Sequence, residues 1–188
     1  MNPMNRRRML AAIGLGYLGV AGRPLGAQTD GGGRVKLPSL AVLDFELLDD
    51  QNNPATKAAQ VVRLHNATLQ LRQELQARRL YDVMDSSPSR DLQDKLRSQQ
   101  EFIYRCDDCA AQIGVVLGAD LVMTPWVQKV SELILNLNVQ IYDVKAGKVI
   151  FSKSVDMRGN QDQSWSRAVR YLVRDMAEKR DRNPRYGL

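Results

Sequence analysis

The sequence predicts an α/β fold of the α+β kind: a single mixed sheet of about five strands, with a C-terminal antiparallel meander, packed by helices. Three observations predict it. Leu40 to Leu47 begins apolar on both faces and then alternates, as a strand buried on two sides does. A long helical stripe follows it. Two late segments then alternate apolar and polar residues with the two-residue period of a sheet that is dry on one face and wet on the other.

Each element follows in order. After the first strand, Pro54 opens a helix in which Val61, Leu64, Thr68, Leu71 and Leu75 recur at spacings of three and four, while Arg63, Arg72, Arg78 and Arg79 mostly fall off the stripe. Leu80–Asp85 reads as a second strand, ended by Ser86-Ser87-Pro88. A polar helix over 90–104 comes next, then a small-residue helix over 106–117 closed by Gly118 in the place of a left-handed cap. The strand 119–130 opens the meander, and a hairpin over 133–144 and 149–158 turns through Lys145-Ala146-Gly147-Lys148. In the first hairpin strand Leu133, Leu135, Leu137, Val139 and Ile141 share one face, and Asn136, Asn138, Gln140 and Tyr142 the other. The second repeats the split, with Lys153 interrupting its apolar set. Trp165, Ala168, Val169, Leu172 and Met176 mark a last helix, and residues 179–188 form a basic flexible tail.

Charge and composition bound the function. The chain has 188 residues and a formal charge of +6, with 27 basic and 21 acidic residues. Arg6, Arg7, Arg8 and Arg23 lie in the first 27 residues, which hold no acid; 27 less these four leaves 23 basic against 21 acidic, so the body is nearly neutral and no nucleic-acid partner is expected. Residues 1–27 read as an export signal cleaved after Ala27, and Asn5-Arg6-Arg7-Arg8-Met9-Leu10 resembles the twin-arginine pattern. Residues 28–37 read as a linker, holding Gly31-Gly32-Gly33, and 38–178 as one domain. The cysteines, Cys106 and Cys109, lie far from the cleavage point. The mature chain is therefore expected in the periplasm without a membrane anchor.

Candidate chemistry is sparse. Cys106-Asp107-Asp108-Cys109 places two thiols three apart at a helix start, where a disulfide can close and where a thiolate would be stabilised. The two aspartates oppose thiolate formation, so a structural disulfide in an oxidising compartment is the first reading and redox exchange or metal handling the second. Zinc needs four ligands, and Ala110 stands where a c-type haem would need His. No cofactor is expected. Lone His65 has no positioned partner for base catalysis. Asp44 and Glu46 at the end of the first strand read as sharing one face, where ligands of open α/β sheets gather, or as simple emergence into solvent. The polar face of the meander is the candidate partner surface: Asn136, Asn138 and Gln140 form an amide ladder, with Trp126 and Tyr142 as aromatic anchors. Arg158, Arg167, Arg170 and Arg174 read as a basic edge for an acidic partner or as a solvated face.

The phrases Ala41-Val42-Leu43-Asp44-Phe45-Glu46-Leu47, Leu117-Gly118-Ala119-Asp120-Leu121-Val122, Trp126-Val127-Gln128-Lys129-Val130-Ser131, 135–141 and 154–160 resemble a family of exported bacterial proteins known as a domain of unknown function, over most of residues 38–176. That resemblance implies an association with quinoprotein dehydrogenase systems. The strand-helix-strand start and Leu117-Gly118-Ala119-Asp120 are more distantly similar to the N-terminal domain of TolB and the periplasmic domain of the curli secretion lipoprotein. Those relatives imply an assembly or interaction domain with no catalytic motif to carry over. The expectation is a noncatalytic periplasmic accessory or protein-interaction module, serving a quinoprotein dehydrogenase system or envelope assembly. The alternative is a thiol-disulfide redox or metal-handling protein using Cys106 and Cys109.

Overall fold

The computed structural model describes residues 36–188; the export signal and most of the linker lie outside the described residues. The strands are β1 Ser39–Val42, β2 Glu46–Asp49, β3 Asp82–Met84, β4 Leu121–Lys129, β5 Ile134–Asp143 and β6 Lys148–Arg158. The helices are α1 Pro54–Ala77, α2 Arg90–Gln99, α3 Cys109–Leu117 and α4 Asp162–Arg182. One mixed sheet runs β3-β1-β4-β5-β6, with β2 also pairing with β4. The β1, β2 and β3 pairings are parallel, and β4-β5-β6 is the antiparallel meander.

The expected first strand is two strands, which makes the sheet six-stranded. Val42 lies opposite Met123 and Glu46 opposite Trp126, so the incoming chain spends Leu43, Asp44 and Phe45 where β4 spends only Thr124 and Pro125. The extra residue is a bulge, and a slip of one residue exchanges the faces of everything after it. Helix α1 seals the break. Thr68 Oγ1 accepts the Phe45 N–H at 3.0 Å and donates to the Leu64 carbonyl, and Arg72 donates to the Val42 carbonyl at 2.6 and 3.1 Å. The polar residue on the apolar stripe thus satisfies backbone that the bulge leaves unpaired.

Two cores flank the sheet. On one face α1 and α4 bury Leu71, Leu75, Trp165, Val169, Leu172 and Met176 against Leu40, Met123, Val127, Leu137, Val139 and Ile141. Burying a side chain of this size is worth about 1.5–3 kcal/mol, so this face carries most of the folding free energy. Val61, expected on the α1 stripe, is 59% exposed, because the inward position of that turn is taken by Gln60, which is buried in line with Leu64, Ala67, Thr68, Leu71 and Leu75. On the other face α2, α3 and the turn Ile103–Arg105 cover Ala41, Leu43 and Val122. There α3 comes so close to the sheet that a Cβ on Gly114 would lie 2.3 Å from Val144 Cγ2. Gly118 ends α3 at φ 62°, the left-handed conformation expected of it.

Residues 179–188 do not form a flexible tail. Helix α4 continues to Arg182, Tyr81 donates its hydroxyl to the Gly187 carbonyl at 2.7 Å, and Tyr186 packs edge-on against Phe151. Arg180 donates to the nearby Tyr186 carbonyl and to the distant Tyr81 hydroxyl, which ties the end of α4 to both the C-terminal turn and the segment before β3.

Candidate functional site

The antiparallel pairing of β4, β5 and β6 sets Trp126 opposite Asn138 and Asn138 opposite Ser154, with Thr124-Gln140-Ser152 and Gln128-Asn136-Asp156 as parallel rows. Strand pleating aims these side chains to the face away from α1 and α4. The helices of that side pack over β1 and the start of β4, and Ser152, Ser154 and Asp156 remain exposed. Asn138 is 9% exposed, hemmed by its neighbours, and its amide donates to the Asn136 carbonyl at 3.1 Å. Turned to satisfy both of its groups, the Asn136 amide donates to Asp156 Oδ1 at 2.9 Å. The rows form a hydrogen-bonding surface of amides and hydroxyls with one carboxylate, Asp156.

The two expected aromatic anchors are placed differently. Trp126 borders the surface, but Tyr104 stacks on its ring at 4.2 Å, tilted by 1°. Tyr142 packs instead into the second core beneath α3. The contribution of Tyr104 was hidden in the sequence because the turn bearing it is separated from β4 by all of α3. Phe102 and the Arg105 guanidinium, each within 5.4 Å of the Tyr104 ring centre, complete a rim.

Two devices hold that rim. The Cys106–Cys109 disulfide joins it to the first residue of α3, with Cys109 fully buried and Cys106 half-buried. The sulfurs are bonded to each other, so beside Asp108 they offer no thiolate to a metal. Glu46 supplies the second device: its carboxylate accepts the N–H groups of Ile103 at 2.9 Å and Tyr104 at 3.3 Å, with Arg97 at 3.8 Å. Burial pushes the Glu46 carboxyl above its ordinary 4.5, against the pull of these donors. The bulge turns Glu46 to the face of Trp126 and leaves Asp44 on the α1 side, where it pairs with Arg72 at 3.0 Å, so the two carboxylates do not share a site. His65 stands exposed on α1.

A polar cluster on the α1/α4 side was not foreseen. Lys129 is fully buried, with Asp49 at 3.1 Å directly across the β2–β4 pairing and Glu132 at 2.6 Å. Glu132 accepts from Asn160, whose amide oxygen accepts the Trp165 indole N–H at 2.9 Å. Strand parity was the available signal: Lys129 falls on the face of Met123 and Val127, a core position that a lysine occupies only with a carboxylate beside it. Lys153 follows the same rule, since it pairs with Asp175 of α4.

The described residues form an open mixed α/β sheet of six strands with helices on both faces. The family DUF3280, described as "Protein of unknown function (DUF2380)", matches residues 38–176, and the chain belongs to it. No curated protein is similar to it. Among solved structures, the LpoB C-terminal domain from Salmonella enterica is similar at 17% identity, over 67% of this chain and 87% of that one, with a TM-score of 0.40. The PelC dodecamer from Paraburkholderia phytofirmans matches at 14% identity, 73% and 86% coverage and a TM-score of 0.43. TolB from Acinetobacter baumannii matches at 11% identity over 80% of this chain and 30% of that one, with a TM-score of 0.43. No helix among the described residues is long and apolar enough to cross a membrane.

Proposed function

We propose that the chain is a noncatalytic periplasmic protein-interaction module whose partner surface is the polar half-face of β4, β5 and β6. The observation that carries this reading is the set of rows Thr124-Gln140-Ser152, Trp126-Asn138-Ser154 and Gln128-Asn136-Asp156, exposed at Ser152, Ser154 and Asp156 and partly exposed at Asn136 and Gln140, beside a rim held by a disulfide and by Glu46. A rigid surface with many neutral donors and acceptors binds a protein with little ordering cost. The export-signal reading of residues 1–27 supports the compartment, and the family resemblance supports a quinoprotein dehydrogenase or an envelope assembly as the setting. In this reading the disulfide is structural.

The second reading is thiol-disulfide exchange at Cys106 and Cys109, favoured by the partial exposure of Cys106. Affinity co-purification from native periplasm, with cysteine state read by differential alkylation, separates the two. The interaction reading expects a stoichiometric partner that survives the double substitution Cys106→Ser, Cys109→Ser and is lost with Asn136→Arg and Gln140→Arg. Clients trapped on Cys106 in the Cys109→Ser variant, with no stoichiometric partner, would replace it by the exchange reading.

A further inference from the structure

Strand β6 is the outer strand of the meander, and it is eleven residues long. Gly159 donates to the Leu133 carbonyl, which fixes the alternation of the β5–β6 ladder: Phe151, Lys153, Val155 and Met157 turn their main-chain groups toward β5. Ser152, Ser154, Asp156 and Arg158 turn theirs outward. Of these the Arg158 carbonyl accepts the Ser164 hydroxyl at 2.9 Å, and the edge from Ser152 to Asp156 presents N–H and C=O groups with no partner among the described residues. A groove of about 550 Å³ follows this edge, lined by Ser154–Arg158 and by Ser164, Arg167, Ala168 and Tyr171 of α4. Five consecutive strand residues, which alternate between faces, line one hollow only through their shared main-chain edge.

We infer that this edge accepts an extended, acidic segment of a partner protein, added to the sheet as a strand alongside β6. Charge selects the occupant. Arg158 and Arg167 line the groove and Arg174 lies over the ring of Tyr171, which is 46% exposed there, against Asp156 and Glu178. A strand lying there meets guanidinium groups on its α4 side, where carboxylates pair favourably. A second copy of this chain is the poorer occupant, because twofold pairing of two β6 edges brings two sets of these arginines together. A lysine pointing inward on an edge strand often blocks strand addition by threatening to bury a free charge. Lys153 is no such obstacle, since it is 13% exposed and already paired with Asp175. The edge shares Ser154 and Asp156 with the amide rows but offers their outward main-chain groups, and the inference stands whether or not the Asn136, Asn138 and Gln140 side chains bind a partner.

The test is fluorescence anisotropy with a labelled peptide of about nine residues alternating glutamate and threonine, a typical strand length. Three comparisons accompany it: the same peptide N-methylated at alternate residues, the same peptide with lysine for glutamate, and the full chain carrying Ser154→Pro, which removes one outward N–H. A proline is tolerated on such an edge, and circular dichroism checks that the variant folds. The expected result is binding of the glutamate peptide alone, weakened at least about tenfold by Ser154→Pro and by the double substitution Arg167→Glu, Arg174→Glu. His65→Ala, at an exposed position of α1 outside the groove lining, should leave it unchanged. Equal binding of the N-methylated peptide would reduce the edge to a charged patch and overturn the inference. So would no binding of any peptide, or a dimer of the chain alone that Ser154→Pro converts to monomer in sedimentation.

Discussion

The ammonium of Lys129, which has no exposure to solvent, lies 3.1 Å from the carboxylate of Asp49 on the neighbouring parallel strand. Removing one partner of a buried pair strands the other charge. Asp49→Asn should therefore lower stability by about 3 kcal/mol, the low end of the range for such pairs because Glu132 stays in place. Adding Lys129→Met to Asp49→Asn, which removes both charges of the pair and leaves only the part-exposed Glu132, should recover much of that loss. Urea unfolding of the single and double variants checks the contrast: a larger loss for the double variant would show that the cluster is a stabilising network in its own right.

The same cluster sets the acid limit. Burial acts to raise Asp49, but Lys129 and the Gln51 N–H hold its carboxyl below the ordinary 3.8; Lys129 and Asn160 hold Glu132 below 4.5. A carboxyl depressed in the fold stabilises it fully above the unfolded value, and that contribution is lost as pH falls through the folded value. Glu46, raised by burial, acts in the opposite sense: the fold gains from its protonation as pH falls toward 4.5. Stability measured from neutral pH downward should thus fall less steeply with acid in Asp49→Asn and more steeply in Glu46→Gln.

Tyr81 reports on the C-terminal segment. Burial, only partly opposed by Arg180, pushes its hydroxyl up to about 12. In an absorbance titration one tyrosine should ionise late, and its share of the stability, complete below pH 10.0, should be lost as pH rises through about 12. Tyr81→Phe should abolish the late step, cost about 1–2 kcal/mol, and speed hydrogen exchange at residues 183–188.

Helix α3 meets the sheet across a single glycine. Gly114→Ala should destabilise by about 1–3 kcal/mol through contact with Val144 and Val122. Val144→Ala in the same chain should recover most of the loss. If Gly114→Ala is neutral in thermal unfolding, α3 has room that the 2.3 Å approach denies.

Local chemistry made much of this architecture readable. Gly118 announced the end of α3, the alternation from Leu135 to Ile141 announced the meander, and the spacing of Leu71 and Leu75 and of Trp165 to Met176 announced the two large helices. What stayed hidden depended on partners far along the chain. The bulge at Leu43–Phe45 carries no glycine or proline to mark it, and it becomes visible only against the register of β4. Lys129 looked like any strand residue until Asp49, eighty positions earlier, was placed beside it. The Tyr104–Trp126 stack, the docking of Tyr186 on Phe151 and the pairing of Lys153 with Asp175 are of the same kind.

The two-part parallel seam along β4 also orders events in time. The meander closes through short connections, whereas Leu40 must find Leu121 and Leu47 must find Val127 across about eighty residues of chain. Loop closure over that span is entropically costly and slow. Of the strands, the pair that emerges earliest therefore waits: Ser39–Asp49 keeps the edge meant for β4 unpaired until residues 121–129 exist. During that interval it is the part of the molecule most in need of a chaperone.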